Sequence, residues 1–226
     1  MTEDLEKKIG VAFRNKDLLL MALTHRSYLN ENTDWHFDHN ERLEFLGDAV
    51  LELVVTEYLY KHYPNPEGEM TNWRAALVNS VMLASVAGKF DLNSHLLLSR
   101  GEAKDTGRAR QYILANAVEA VIGALYLDQG YTVAEQFIMR FVMDELPGIL
   151  EGKSYRDAKS LFQEKAQDMM GITPSYQVLE EWGPDHAKHF TAGVFLGEEM
   201  VALGEGDSKQ DAEQEAARRA LEEKGW

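Results

Sequence analysis

The stretch His39–His62, HNERLEFLGDAVLELVVTEYLYKH, decides how the chain is read. At about 100° per residue, Leu43, Leu46, Val50, Leu53 and Val54 fall within roughly 100° of one another, an apolar stripe of helical period. Glu41, Glu44 and Asp48 fall on the opposite side, within about 60° of each other. Like charges four residues apart on a helix repel by ~0.2–0.5 kcal/mol. Such a face is either a solvated acidic surface or a set of carboxylates that a cation bridges. Two residues disturb the first reading. Phe45 lies on the acidic side, and Gly47 sits mid-helix, where it costs ~1 kcal/mol relative to Ala. An aromatic beside a glycine predicts close packing on that face, such as by a second subunit.

A second polar pair lies in the run Arg108–Asp128. Asn116 and Glu119 are three apart, so their oxygens share a side of a helix. Their neighbours Leu114, Val118, Val121, Ile122 and Leu125 have core character. Facing the first helix, this pair would complete four oxygen-bearing side chains, a donor set for Mg²⁺. Helical spacing also marks Lys16–Asn30, Thr71–Phe90 and Thr132–Leu146. Pro64-Asn65-Pro66, Arg100-Gly101 and Gln129-Gly130 separate the runs. The spacing predicts an all-α domain over residues 1–148, ended by Pro147-Gly148, then a linker over 149–155.

The texture changes over 156–226. Asp157–Met169 reads as a helix. Ser175–Trp182, His189–Leu196 and Met200–Leu203 are short and rich in β-formers, with turns at Gly183-Pro184-Asp185 and Gly197-Glu198-Glu199. Lys209–Lys224 reads as a last helix capped by Ser208. The order helix, three strands, helix predicts a small α+β domain.

Composition narrows the function classes. The 226 residues carry a net charge of −15 and no cysteine. There are 14 basic and 22 acidic residues up to position 150, and 9 and 16 after it. Neither half is basic, which speaks against gripping nucleic acid by bulk attraction. No apolar run approaches the ~20 residues of a membrane span, and the acidic start is unlike a signal peptide. Without cysteine there is no disulfide or thiolate site; a cytoplasmic setting and no organic cofactor are expected. The seven histidines show no metal-ligand spacing.

The run Asn40-Glu41-Arg42-Leu43-Glu44-Phe45-Leu46-Gly47-Asp48-Ala49 resembles the signature of the ribonuclease III family. The resemblance continues in Pro66-Glu67-Gly68-Glu69-Met70, in Ile113–Asp128, and in the C-terminal region, which looks like a double-stranded-RNA-binding domain. It implies a homodimeric, Mg²⁺-dependent endoribonuclease, with Mn²⁺ as a substitute. It also implies cleavage of both strands of double-stranded RNA, ribosomal precursors included, to 5′-phosphates and 3′-hydroxyls. Carried over, Glu44, Asn116 and Glu119 match metal ligands, and Asp48 and Glu119 match catalytic carboxylates. Glu41 and Glu67 match acidic residues near the RNA path. Phe45 matches an aromatic of the dimer interface, with Gly47 beside it. In the second domain Lys159, Gln163, Glu164, His186, Ser208 and Lys209 match RNA-contacting positions.

Two departures from the family pattern stand out. Asn116 occupies a position where the family usually has Asp, so one negative charge is missing from the metal set. The basic cluster that usually opens the last helix is reduced to Lys209. A dimeric double-stranded-RNA-binding protein with an impaired catalytic site is therefore the alternative reading.

Overall fold

The computed structural model describes residues 2–152, 158–184 and 188–226. The chain divides into two compact units, Met1–Tyr155 and Arg156–Trp226.

The first unit is all-helical: α1 Thr2–Ile9, α2 Lys16–Leu23, α3 Arg26–Leu29, α4 Glu41–His62, α5 Glu67–Val78, α6 Ser80–Lys89, α7 Arg108–Gln129, α8 Tyr131–Phe141 and α9 Leu146–Gly152. Helices α4 and α7 form its central pair. They touch backbone to backbone. A Cβ on Gly47 would overlap the Glu119 carbonyl oxygen and lie 2.9 Å from Gly123 N, and one on Gly123 would overlap the Leu43 carbonyl. The close neighbour expected at Gly47 is therefore α7 of the same chain, not a second subunit.

That crossing also turns the buried side of α4. Leu43, Val50 and Val54 are buried as expected, but Leu53 is 56% exposed. Leu51, Val55 and Leu59 are buried instead. The buried arc has swung toward Gly47, so Glu44 borders the core rather than opposing it.

Other boundaries shift for local reasons. The run Thr71–Phe90 breaks at Asn79, whose side chain accepts from Met82 N at 2.9 Å and caps α6. Lys16–Asn30 breaks at Thr24, which bridges to Leu97. Pro147 does not end a helix; it sits in the first turn of α9, where its missing N–H costs nothing. Helix α9 then runs through 149–152, and Ile149 is buried in the core. The rest of the expected linker, 153–155, lies outside the described residues.

The second unit contains α10 Ala158–Met170, β1 Ser175–Trp182, β2 His189–Leu196, β3 Glu199–Gly206 and α11 Lys209–Lys224. The strands form an antiparallel sheet in the order β1-β2-β3. Both helices pack on one face, around Phe162, Ala166, Val194, Leu196, Ala216 and Ala220. Strand β3 runs past Leu203 because Gly204 and Gly206 lie flat against the backbone of α11. Among the described residues no helix is long and apolar enough to cross a membrane.

The contact between α4 and α7 is testable through its glycines. Gly47→Ala should destabilise the first unit by ~3 kcal/mol, the upper end of usual overpacking penalties. Gly148→Ala, in open space on α9, should leave its stability unchanged or slightly raised. Thermal melts of the two variants decide it, and equal melting would contradict the close crossing.

Candidate active site

The start of α4 is fixed by Asn40, which is 3% exposed. Its backbone N–H donates to Thr24 O at 2.9 Å, and its side chain donates to Ala22 O at 3.3 Å. The residue opens the helix by tying it to α2, not by capping it. From that anchor Glu44 and Asp48 project one turn apart beside the Gly47 crossing. Asn116 and Glu119 project from the facing side of α7.

These four residues interact. Asn116 donates a side-chain hydrogen bond to Glu44. Burial pushes the Glu44 carboxyl upward, the Glu41 charge adds to this, and the Asn116 hydrogen bond opposes it. Burial also raises Asp48, with Glu52 contributing. Glu119 is pushed up to about 8, first by burial and then by Asp48 and Glu44. The centre is a group of half-buried oxygens in which carboxylates repel one another.

Such a group suits a hard divalent cation. Every donor is an oxygen, and a cation would offset both the burial that chiefly holds Glu119 protonated and the repulsion from Asp48 and Glu44 that adds to it. Among the described residues no three His, Cys, Asp or Glu side chains form a ready-made metal cluster. The amide oxygen of Asn116 adds a neutral oxygen beside these carboxylates.

Of the two remaining acids, Glu41 borders the cluster and Glu67 sits apart from it. Glu41 pairs with Arg26 at 3.3 Å, a partner with no sequence signal because it lies 15 residues away. Glu67 opens α5 and accepts from Thr71 Oγ1 at 3.0 Å. It contributes to none of the shifts of Glu44, Asp48 or Glu119. Glu52, one turn beyond Asp48, was not singled out by the sequence.

Phe45 is 82% exposed. It borders a groove of about 680 Å³ lined by Leu18, Met21, Leu43, Leu46 and Leu127 among others.

In the second unit Gln163 and Glu164 are exposed on α10. Lys159 pairs with Glu213 at 2.5 Å, and its Nζ lies 4.6 Å from the Tyr176 ring centroid. Ser208 caps α11, accepting from Asp211 N at 3.1 Å, so its hydroxyl is engaged. Lys209 Nζ lies 5.7 Å over the Phe190 ring. His186 lies outside the described residues.

Comparison with known proteins bears on both units. A family model described as ribonuclease-III-like matches residues 15–146. A double-stranded RNA binding motif matches residues 158–224. The chain belongs to the ribonuclease III family. It is 47% identical over 220 residues to a Ribonuclease 3 from Natranaerobius thermophilus, covering 97% of this chain and 94% of that one. A Ribonuclease 3 from Syntrophomonas wolfei is 49% identical over 212 residues, 93% of this chain and 90% of that one. The nuclease domain of Ribonuclease III from Campylobacter jejuni superposes with a TM-score of 0.58 at 40% identity, covering 65% of this chain and 99% of that one. As a ribonuclease III the chain is an endoribonuclease, with a double-stranded-RNA-binding domain at its C-terminal end.

The raised Glu119 carboxyl has a consequence for the metal-free chain. The native state keeps a proton that the unfolded chain releases near pH 4.5. Stability should therefore fall as the pH rises from about 4.5 toward 8, and level off above that. Glu119→Gln should flatten this slope in denaturation measured with a chelator present. Identical pH profiles for parent and variant would contradict the proposed burial of charge.

Proposed function

We propose that the chain works as a homodimeric, Mg²⁺-dependent enzyme that cuts both strands of double-stranded RNA. The products would carry 5′-phosphates and 3′-hydroxyls. The observation that carries this reading is the oxygen cluster across α4 and α7, in which Glu44, Asn116 and Glu119 are half-buried and Asp48 is exposed.

Glu44, Glu119 and the Asn116 carbonyl would hold the cation, with Mn²⁺ able to replace Mg²⁺ in an all-oxygen set. When bound, the ion supplies an acidified water and polarises phosphoryl oxygens. Asp48, the exposed member, would orient the attacking water and accept its proton. Asn116 would fix Glu44 through their hydrogen bond. Glu41, whose charge reaches Glu44, and Glu67, which is farther off, would border the RNA path.

A second copy would seat its Phe45 in the apolar groove beside α4. The relation to the Campylobacter jejuni nuclease domain, described as having a region involved in dimer formation, supports this pairing. In the second unit, Gln163, Glu164, Lys209 and His186 would follow the minor groove and phosphates of an A-form duplex. This type of recognition reads shape and 2′-hydroxyls, not sequence. Structured RNAs, ribosomal precursors among them, are the substrate class, and a cysteine-free chain suits the reducing cytoplasm.

The alternative, an RNA-binding dimer with impaired chemistry, draws on Asn116, which adds no charge to the metal set. Cleavage of a long RNA duplex across a Mg²⁺ titration separates the two readings. The parent should cut and Glu119→Gln should not. Asn116→Asp should lower the Mg²⁺ needed for half-maximal cutting on the order of tenfold, because ligand charge tunes affinity. Duplex binding without cutting at any Mg²⁺ concentration would select the alternative.

A further inference from the structure

The sheet of the second unit buries one face under α10 and α11 and leaves the other bare. The bare face is apolar at its centre. Gly193, in the middle strand, pairs with Gln177 on one side and Leu203 on the other. A Cβ there would lie 3.0 Å from Phe195 Cε2, 3.1 Å from Leu179 Cδ1 and 3.3 Å from Met200 Sδ. Three large side chains thus converge over a glycine on the outer face. Leu179 reaches it because the bulge between Val178 and Glu180 re-aims the side chain. Leu179, Met200 and Leu203 are 46%, 47% and 38% exposed. Isolated exposed apolar residues need no explanation, but a contiguous group on one face marks an interaction site.

The neighbouring row of the sheet shows what kind of partner fits. Thr191 pairs with Glu180 on β1 and with Glu205 on β3. All three project from the outer face, so Glu180 and Glu205 flank Thr191 from backbones about 10 Å apart, twice the usual strand spacing. Neither forms an ion pair among the described residues. Elsewhere in this unit Glu181, Glu199, Glu213, Glu215 and Glu222 are all paired with Lys or Arg. Other carboxylates of the unit, Glu198 and Glu223 among them, also form no ion pair among the described residues, but Glu180 and Glu205 are the pair that flanks Thr191 beside the apolar group.

We propose that this outer face binds a basic, amphipathic segment of another protein. Its apolar side chains would cover Leu179, Phe195, Met200 and Leu203, and a Lys or Arg would lie over Thr191 between Glu180 and Glu205. RNA is a poor occupant, because unpaired carboxylates repel phosphates. A second copy is a poor occupant too, because a two-fold contact would set the same carboxylates against each other. The face lies opposite α10 and α11, so a bound segment leaves both helices open to duplex RNA. The proposal does not depend on the nuclease reading.

The test uses the full chain and a labelled synthetic helix of Leu and Lys with amphipathic spacing. A Leu/Glu helix of the same pattern is the control. The Leu/Lys helix should bind saturably and the Leu/Glu helix should not. Glu180→Gln with Glu205→Gln should weaken binding about tenfold, or ~1.4 kcal/mol. Met200→Ser with Leu203→Ser should do the same. Both variants should keep duplex RNA binding, which shows that the unit is folded. If the serine pair does not fold, the glutamine pair decides alone. Equal affinity in the variants, equal binding of the Leu/Glu helix, or no saturable binding by the parent would overturn the proposal. A fall in the parent's sedimenting mass on substituting Met200 and Leu203 would overturn it in favour of a second copy.

Discussion

Everything in the nuclease unit hangs on the backbone contact between α4 and α7. Gly47 meets the carbonyl of Glu119, and Gly123 meets the carbonyl of Leu43. At any other separation the four oxygen-bearing side chains would not face one another. The glycine whose carbonyl neighbour is Glu119 therefore serves the acid with the largest shift in the cluster. The helical cost of Gly47, ~1 kcal/mol, is small beside the burial of Leu43, Val50, Leu51 and Val54, each worth ~1.5–3 kcal/mol.

That apolar interior also sustains the repulsion at its edge. Carboxylates at the rim of a core disfavour ionisation, and Glu119 records this most strongly. Asn116 moderates it. A fourth carboxylate in its place would raise Glu44 and Glu119 further in the ion-free chain. The amide instead donates to Glu44 and lowers its shift. An amide at this position thus leaves the neighbouring carboxylates less crowded by charge than a fourth carboxylate would. A chain with net charge −15 already has carboxylates in excess.

The sequence was most legible where one periodicity ran unbroken. Helix α4, strands β1 and β2, and the Ser208 cap of α11 lie where spacing and turn residues placed them. It was least legible where a partner element decides. Leu53 reads as core on a straight wheel, but α7 approaches from the Gly47 side and leaves Leu53 outside. Pro147 reads as a terminator, yet a proline also fits a first turn, and only the next residues' burial shows which. Gly204 and Gly206 look like the end of a strand because the helix that needs their missing side chains is distant in sequence. At the site, spacing grouped Glu41 with Glu44 and Asp48 and paired Asn116 with Glu119, while the resemblance to the family set Glu44, Asp48, Asn116 and Glu119 apart from Glu41. The Arg26 partner of Glu41 and the influence of Glu52 on Asp48 depend on tertiary proximity and leave no local pattern.

Charge in the RNA-binding unit follows a different logic from that of basic nucleic-acid binders. Lys159, Lys188, Arg218, Arg219 and Lys224 are each held by carboxylates of the same unit. Fewer cations are then available to displace counterions, and each such loss removes close to one unit of salt slope. Affinity must come from elsewhere. Backbone N–H groups at a helix start are unaffected by the acidic composition, and shape contacts in a minor groove need no net charge. Pairing two copies would add a second RNA-binding unit at high effective concentration, which multiplies weak contacts without any new basic residue. An acidic chain can thus act on a polyanion, provided that attraction is local and binding is shared between copies. Glu180 and Glu205 on the outer sheet face form no such pair, so their charge adds nothing to the cations' neutralisation.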